Sequence, residues 1–161
     1  GGWNNTVSYK NFDLNVFFRF SGGNKIMNAS RQSALFNMDF SNNGTEILGR
    51  WISPEQPGDG MTPKIGYGDA SSLFNDGYTD SHFVESGNYL KLSTLALGYT
   101  LPKAVVSKLN MTKIRFYVQG QNLLTITGYS GLDPETNSRL GVDWNGMPQQ
   151  RSFTFGANIT F

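Results

Sequence analysis

Arg151-Ser152-Phe153-Thr154-Phe155-Gly156-Ala157-Asn158-Ile159-Thr160-Phe161 carries a two-residue period along its whole length. Phe153, Phe155, Ala157, Ile159 and Phe161 follow Arg151 on one face, and Ser152, Thr154, Gly156, Asn158 and Thr160 form the other. Successive side chains of a strand point to opposite faces, so this alternation specifies a strand with one apolar and one polar surface. Its length also matches the roughly 9–11 residues that a tilted strand needs to cross a bilayer.

The same period recurs upstream. From about Thr112 to Thr125, Ile114, Phe116, Val118 and Gly120 alternate with Lys113, Arg115, Tyr117, Gln119 and Gln121. Near the start, a strand ending Thr6–Tyr9 meets a tight turn at Lys10-Asn11, and Phe12–Phe20 returns as the second arm of a hairpin. Phe12, Leu14, Val16, Phe18 and Phe20 share a face opposite Asp13, Asn15, Phe17 and Arg19. A fifth strand, about Asn88 to Thr100, changes parity between Leu90/Leu92 and Leu95/Leu97/Tyr99. One extra residue near Ser93-Thr94, a β-bulge, restores a single apolar face. Pro102 lacks the N–H that a ladder needs and closes this strand.

The connections are unequal. Lys10-Asn11 is a tight turn, and 103–110 is short with one helical turn expected over Ala104–Leu109. The segments at about 21–87 and 128–150 are long. Short turns alternating with long loops are the pattern of an outer-membrane barrel, with short periplasmic turns and long extracellular loops. Tyr9, Phe12, Tyr99 and Phe161 all fall at the short-turn end, where an aromatic girdle belongs. The 21–87 segment is too long to lack structure in a compact protein. Short helices are expected over 31–40, capped by Ser30, and over Thr45–Trp51, before Pro54, Pro57, Gly58, Gly60 and Pro63 interrupt regular structure.

Composition agrees. Aromatic residues make up 14% of the 161 residues, Gly numbers 19, and cysteine is absent. Mean hydropathy is −0.36, but low average hydropathy is what alternating lipid-facing and lumen-facing residues produce. No apolar run is long enough for a transmembrane helix. A net charge of +1 gives no electrostatic footprint for nucleic acid. The start, Gly1-Gly2-Trp3-Asn4-Asn5-Thr6, has neither an initiator Met nor a signal peptide, and reads as mid-protein. The sequons at Asn4, Asn28, Asn43, Asn110 and Asn158 are chance occurrences in an Asn-rich chain.

Several blocks, in order, resemble the barrel end of SusC/RagA-type proteins. They are Tyr9-Lys10-Asn11-Phe12-Asp13-Leu14 with Gly23-Asn24-Lys25-Ile26, and Phe83-Val84-Glu85-Ser86-Gly87-Asn88-Tyr89-Leu90-Lys91-Leu92 running into Leu97-Gly98-Tyr99-Thr100-Leu101-Pro102. Val118-Gln119-Gly120-Gln121-Asn122-Leu123-Leu124, Tyr129-Ser130-Gly131-Leu132-Asp133-Pro134-Glu135 and the end from Pro148 to Phe161 complete the set. The resemblance implies an all-β fold: about five C-terminal antiparallel strands of a large transmembrane β-barrel, with long extracellular loops containing short helices. It further implies a roughly 22-stranded barrel with a plugged lumen, energised by TonB. Import of glycans or peptides with a SusD-like surface lipoprotein as lid, in the outer membrane of a Gram-negative cell, follows from the same resemblance. So does a role for Phe161 as the C-terminal residue read by the barrel-assembly machinery. The plug and TonB-contacting segment have no counterpart here, and five strands with open edges cannot close such a barrel. The chain is therefore expected to be part of a longer protein or to be completed by a partner.

Candidate chemistry is sparse. His82 is the single histidine, which excludes His-rich zinc sites, and no thiol nucleophile exists. Asp59, Asp69, Asp76 and Asp80 could offer oxygen ligands to Ca²⁺, yet lack EF-hand spacing and read as solvated turns. Asp133 and Glu135 flank Pro134 and read as a turn rather than a glycosidase pair. Gly22-Gly23-Asn24-Lys25 lacks the phosphate-loop pattern. No cofactor is expected. Trp51, Tyr129 and Trp144 lie in the long loops as candidate substrate or lid contacts, with packing inside the loops as the plainer reading. Arg19, Lys113, Arg115, Gln119 and Gln121 are candidate lumen-facing residues. The competing architecture is a soluble extracellular carbohydrate-binding β-sandwich, which would bury Phe153, Phe155, Ile159 and Phe161 against a second sheet. An enzyme ranks last, for want of a convergent acid–base or nucleophile set.

Overall fold

The computed structural model describes residues 1–32, 42–64, 81–135 and 140–161. The chain divides into two units, one of Gly1–Gly23, Asn88–Gly128 and Gln149–Phe161, the other of Asn24–Gly87 and Tyr129–Pro148.

The first unit is a five-stranded sheet. Its strands are β1 (Gly2–Tyr9), β2 (Phe12–Ser21), β5 (Tyr89–Thr100), β6 (Lys113–Thr127) and β8 (Ser152–Thr160), in the order β1-β2-β5-β6-β8 with every neighbour antiparallel. All five expected strands form. Tyr9 pairs with Phe12 across the Lys10-Asn11 turn, and Lys10 adopts the left-handed region at φ 54°. The bulge also falls where the parity change requires it. Phe17 pairs with Thr94 and Phe18 with Leu92, so Ser93 is skipped. As a result Leu90 and Leu92 join Leu95, Leu97 and Tyr99 on the apolar face. After β5, a helical segment of Lys103–Val106 and Ser107–Leu109 precedes β6, ending at Asn110 in the left-handed region at φ 55°.

Register carries the period of two across the sheet. Val7, Leu14, Leu97, Val118 and Phe155 lie in one cross-strand row. Thr6, Asn15, Ala96, Gln119 and Thr154 form the next row on the opposite face. The apolar face is open. Phe155 is 78% exposed, Phe153 65%, Phe161 86% and Ile159 49%. A sandwich would bury these four side chains; here they present an apolar wall, as in a membrane barrel. At the short-turn end the Phe12 and Tyr99 rings lie 4.7 Å apart. Toward the far end Trp3 stacks on Phe18 at 5.9 Å. Both ends of the apolar band thus carry rings. Ser21, Tyr89 and Thr127 share one row at that far end, where the chain departs into its long connections.

The second unit contains a small sheet not anticipated from sequence. β3 (Lys25–Asn28) pairs antiparallel with β4 (Val84–Ser86) and parallel with β7 (Val142–Asp143), in the order β4-β3-β7. Phe83 is fully buried against Met27 and Ile47, and Ile26 and Ala29 are buried nearby in sequence. Helical backbone begins at Ala29, with the Arg31 N–H donating to Asn28 Oδ1 at 2.9 Å. Asn28 rather than Ser30 therefore caps it, because the helix starts at Ala29 and the Asn28 amide oxygen accepts the third N–H of the first turn. The rest of the helix expected to residue 40 lies outside the described residues. The second expected helix is a 3-10 segment, Thr45–Gly49.

Candidate functional site

Two surfaces concentrate polar chemistry, one in each unit. On the five-stranded sheet, Arg19, Lys113, Arg115, Gln119 and Gln121 share the polar face. Asp13 and Arg115 stand on strands separated by β5, and the small residue between them permits their contact. Arg115 Nε donates to Asp13 Oδ1 at 2.9 Å while a second guanidinium N–H reaches Oδ2. A Cβ at Gly98 would collide with both partners. The guanidinium also lies 5.4 Å from the Tyr117 ring, and Tyr117 covers Gly156. Further along, Asn15 Nδ2 donates to Asn4 Oδ1 and Thr6 Oγ1, each at 2.9 Å. Ser152 Oγ donates to Gln121 Oε1 at 3.3 Å. Lys91, in one row with Arg19 and Thr125, is only 1% exposed. Its burial was not read from sequence, since an isolated Lys on a polar face reads as solvated.

In the second unit an ion-pair and amide network ties loops to the small sheet. The Arg31 guanidinium donates to Glu46 at 2.7–3.1 Å and reaches Glu85 Oε1 at 3.4 Å. Glu46 raises the Arg31 pKa. Glu85 in turn accepts from the Ser130 N–H at 2.8 Å and the Ser130 hydroxyl at 2.7 Å. Tyr129 is buried, and its hydroxyl donates to Asp143 Oδ2 at 2.7 Å. Burial, together with the Asp143 carboxylate, pushes its phenol far above the usual range. Tyr129 is thus a strut of this unit, and its ring is not an open platform. Trp144, by contrast, is 72% exposed. Trp51 is half-buried and lines a cleft with Met61, Pro63 and Lys64, the Lys64 ammonium lying 5.8 Å from its ring. A separate cavity of about 290 Å³ is bordered by Ser30, Arg31, Glu46, Leu132, Asp143 and Asn145, among others.

The remaining candidates resolve into local structure. Asp133 Oδ1 accepts the Glu135 N–H at 3.0 Å, a turn-forming bond. Asp59 accepts from the Met61 and Thr62 N–H groups and the Thr62 hydroxyl at 2.7–2.8 Å. Those bonds, the Thr62 N–H first, hold its carboxyl below the usual range. Asp69, Asp76 and Asp80 lie outside the described residues. Among the described residues no group of three acidic, His or Cys side chains is placed to hold a metal. No described helix is long and apolar enough to cross a membrane.

Relatives match end to end. TonB-dependent receptor P3 of Formosa agariphila is 33% identical over 170 residues, covering 99% of this chain and 16% of the receptor. The TonB-dependent receptor SusC of Bacteroides thetaiotaomicron is 26% identical over 99% of this chain and 15% of its own length. Among solved structures, the RagAB peptide importer in its closed-closed state superposes with a TM-score of 0.79 at 26% identity, covering 100% of this chain and 17% of that one. No family model matches the chain. It spans about one sixth of the length of these relatives.

An antiparallel sheet with an open apolar face and a hydrogen-bonded polar face, matched throughout by such receptors, fits a piece of a TonB-dependent receptor β-barrel. Within that class the chain fits a C-terminal fragment of the SusC/RagA type, being similar over its whole length to SusC and to the RagAB importer.

Proposed function

We propose that this chain supplies adjacent wall strands and two long outer loops, about 21–87 and 128–150, of an importer that takes up glycans or peptides across the outer membrane of a Gram-negative cell. The wall strands turn Val118 and Phe155 to lipid and Arg19, Lys113, Arg115, Gln119 and Gln121 to the lumen. The loops face the exterior, where Trp51 and Trp144 meet substrate or a SusD-like lipoprotein lid. TonB would engage a segment outside this chain, and Phe161 would serve the barrel-assembly machinery.

One observation carries the reading. Phe153, Phe155, Val7 and Leu97 are between 44% and 78% exposed on one face, while the other face is cross-linked by the Asp13–Arg115 ion pair and the hydrogen bonds of the Asn15 amide. In water such an apolar face would drive association; in lipid it needs no cover. The SusD-like partner and the nutrient class are supported by the likeness to SusC and to the RagAB peptide importer. The test is deletion of the gene in the native host, with affinity purification of the tagged full-length protein from outer membranes. Loss of growth on a glycan or peptide source, and co-purification of a lipoprotein, are expected. Unchanged growth on every such source, with no lipoprotein recovered, would overturn the proposal.

A further inference from the structure

We propose that the short-turn rim of the five-stranded sheet is a contact site for anionic phospholipid, with Lys10, Lys103 and Lys108 meeting the headgroup phosphate and the apolar wall beside them taking an acyl chain. The proposal rests on the lipid-facing wall of the reading above and adds a lipid class and a place for it.

Charge is the first argument. Of the 12 acidic residues in the chain, only Asp13 lies in the first unit, and both its carboxylate oxygens are engaged by Arg115. Four exposed lysines gather at the same short-turn end, Lys10, Lys103, Lys108 and Lys113. Lys113 shares the polar face of β6 with Arg115. The other three stand on the connections, Lys10 in the β1–β2 turn and Lys103 and Lys108 in the helical segment before β6. A rim with three lysines and no opposing carboxylate complements an anionic headgroup layer.

Position is the second. Tyr9, Phe12, Tyr99, Phe116 and Ala157 form one cross-strand row, two residues along from Val7, Leu14, Leu97, Val118 and Phe155 and therefore on the same apolar face. The Lys10 ammonium lies 5.3 Å from the Tyr9 ring centroid, so this cation sits at the edge of the apolar wall. A lysine whose stem runs along apolar surface and whose head rests on an exposed ring is held at headgroup depth. Next to it Phe12, Leu97, Tyr99, Phe116, Val118 and Phe155 line a shallow apolar groove. In the helical segment Val106 is buried, whereas Val105 and Leu109 are 45% and 54% exposed. Exposed apolar side chains interleaved with Lys103 and Lys108 are the pattern of a segment lying in a membrane interface. An acidic protein would match the lysines but leave the groove and these two side chains uncovered; a phospholipid satisfies all three.

The experiment uses a cysteine-free full-length protein in phosphatidylcholine vesicles, carrying a fluorophore at Ala104→Cys on the helical segment or, as reference, at Phe153→Cys on the apolar face. Nitroxide-bearing phosphatidylglycerol and nitroxide-bearing phosphatidylcholine are added in parallel and their quenching compared. One lysine near an anionic surface is worth about fivefold in association, so phosphatidylglycerol should be preferred at the Ala104→Cys label by about fivefold or more. The preference should fall to near unity in Lys10→Asn/Lys103→Gln/Lys108→Gln, where Asn suits the left-handed backbone at position 10. It should also vanish in about 1 M salt, where the screening length shrinks to about 3 Å. Both lipids should quench the Phe153→Cys label in every variant. Equal quenching of the Ala104→Cys label by the two lipids, or a preference that survives the triple substitution, overturns the site; a quenched Phe153→Cys label then leaves the wall reading intact. If neither lipid reaches the Phe153→Cys label, the wall reading and the site fall together.

Discussion

Replacing Phe155 by Arg measures what the open apolar face is for. Phe155 stands six residues before Phe161, the ring placed at the short-turn interface. At about 3.3 Å per residue and a strand tilt of roughly 40°, it lies about 15 Å above that interface. The apolar band of such a barrel is about 25 Å tall, so this position is close to the midplane. Arg on the lipid face at that depth costs about 2–4 kcal/mol. Its neighbour Thr154 points to the polar face beside Gln119, and Thr154→Arg there should cost below about 1 kcal/mol. Urea unfolding of the full-length protein reconstituted in phospholipid vesicles reads both. The expected result is a lower midpoint for Phe155→Arg at unchanged slope, with Thr154→Arg close to wild type. Equal losses, or a larger loss for Thr154→Arg, would refute the assignment of the two faces.

Other predictions follow from named contacts. Gly98→Val should separate Asp13 from Arg115 and cost about 1–3 kcal/mol as an overpacking change. Most of that cost should vanish in an Arg115→Ala background, a coupling that a double-mutant cycle in vesicles would show. Tyr129→Phe removes a donor from buried Asp143 and should loosen the second unit by about 1–3 kcal/mol, read as faster amide exchange at 140–147. The Tyr129 phenol is raised when folded, so its stabilising contribution is complete below the ordinary phenol value, about pH 10, and declines as pH climbs beyond it. Absorbance of the phenolate during alkaline titration should therefore show one tyrosine ionising late, and that feature should be absent from Tyr129→Phe. Removal of Phe161 should reduce the folded protein recovered from outer membranes without changing its expression.

The strands that form the wall were legible because a barrel strand writes its environment directly into a period of two. Even the parity slip between Leu92 and Leu95 was readable, since one apolar face can be continuous only if Ser93 is skipped. The small sheet was not. β7 is two residues long and β3 four, too short to establish any period, and their partners come from segments far apart in sequence. Sequence leaves Tyr129 open as a contact residue, because an aromatic in a long loop looks the same whether it stacks on a ligand or fills the unit's own core. Only its bond to Asp143 separates the two. Asn28 took the cap expected of Ser30 because both are good capping residues two positions apart.

The central claim is that one face of this sheet meets lipid and the other does not. It is tested most directly by single-cysteine labelling of a cysteine-free full-length protein in vesicles, with a fluorophore placed in two adjacent rows. One row is Phe155→Cys, Val118→Cys and Leu97→Cys; the other is Thr154→Cys, Gln119→Cys and Ala96→Cys. Nitroxide-bearing lipid should quench every label of the first row and none of the second. Quenching that ignores the row, or favours the second, would contradict the account.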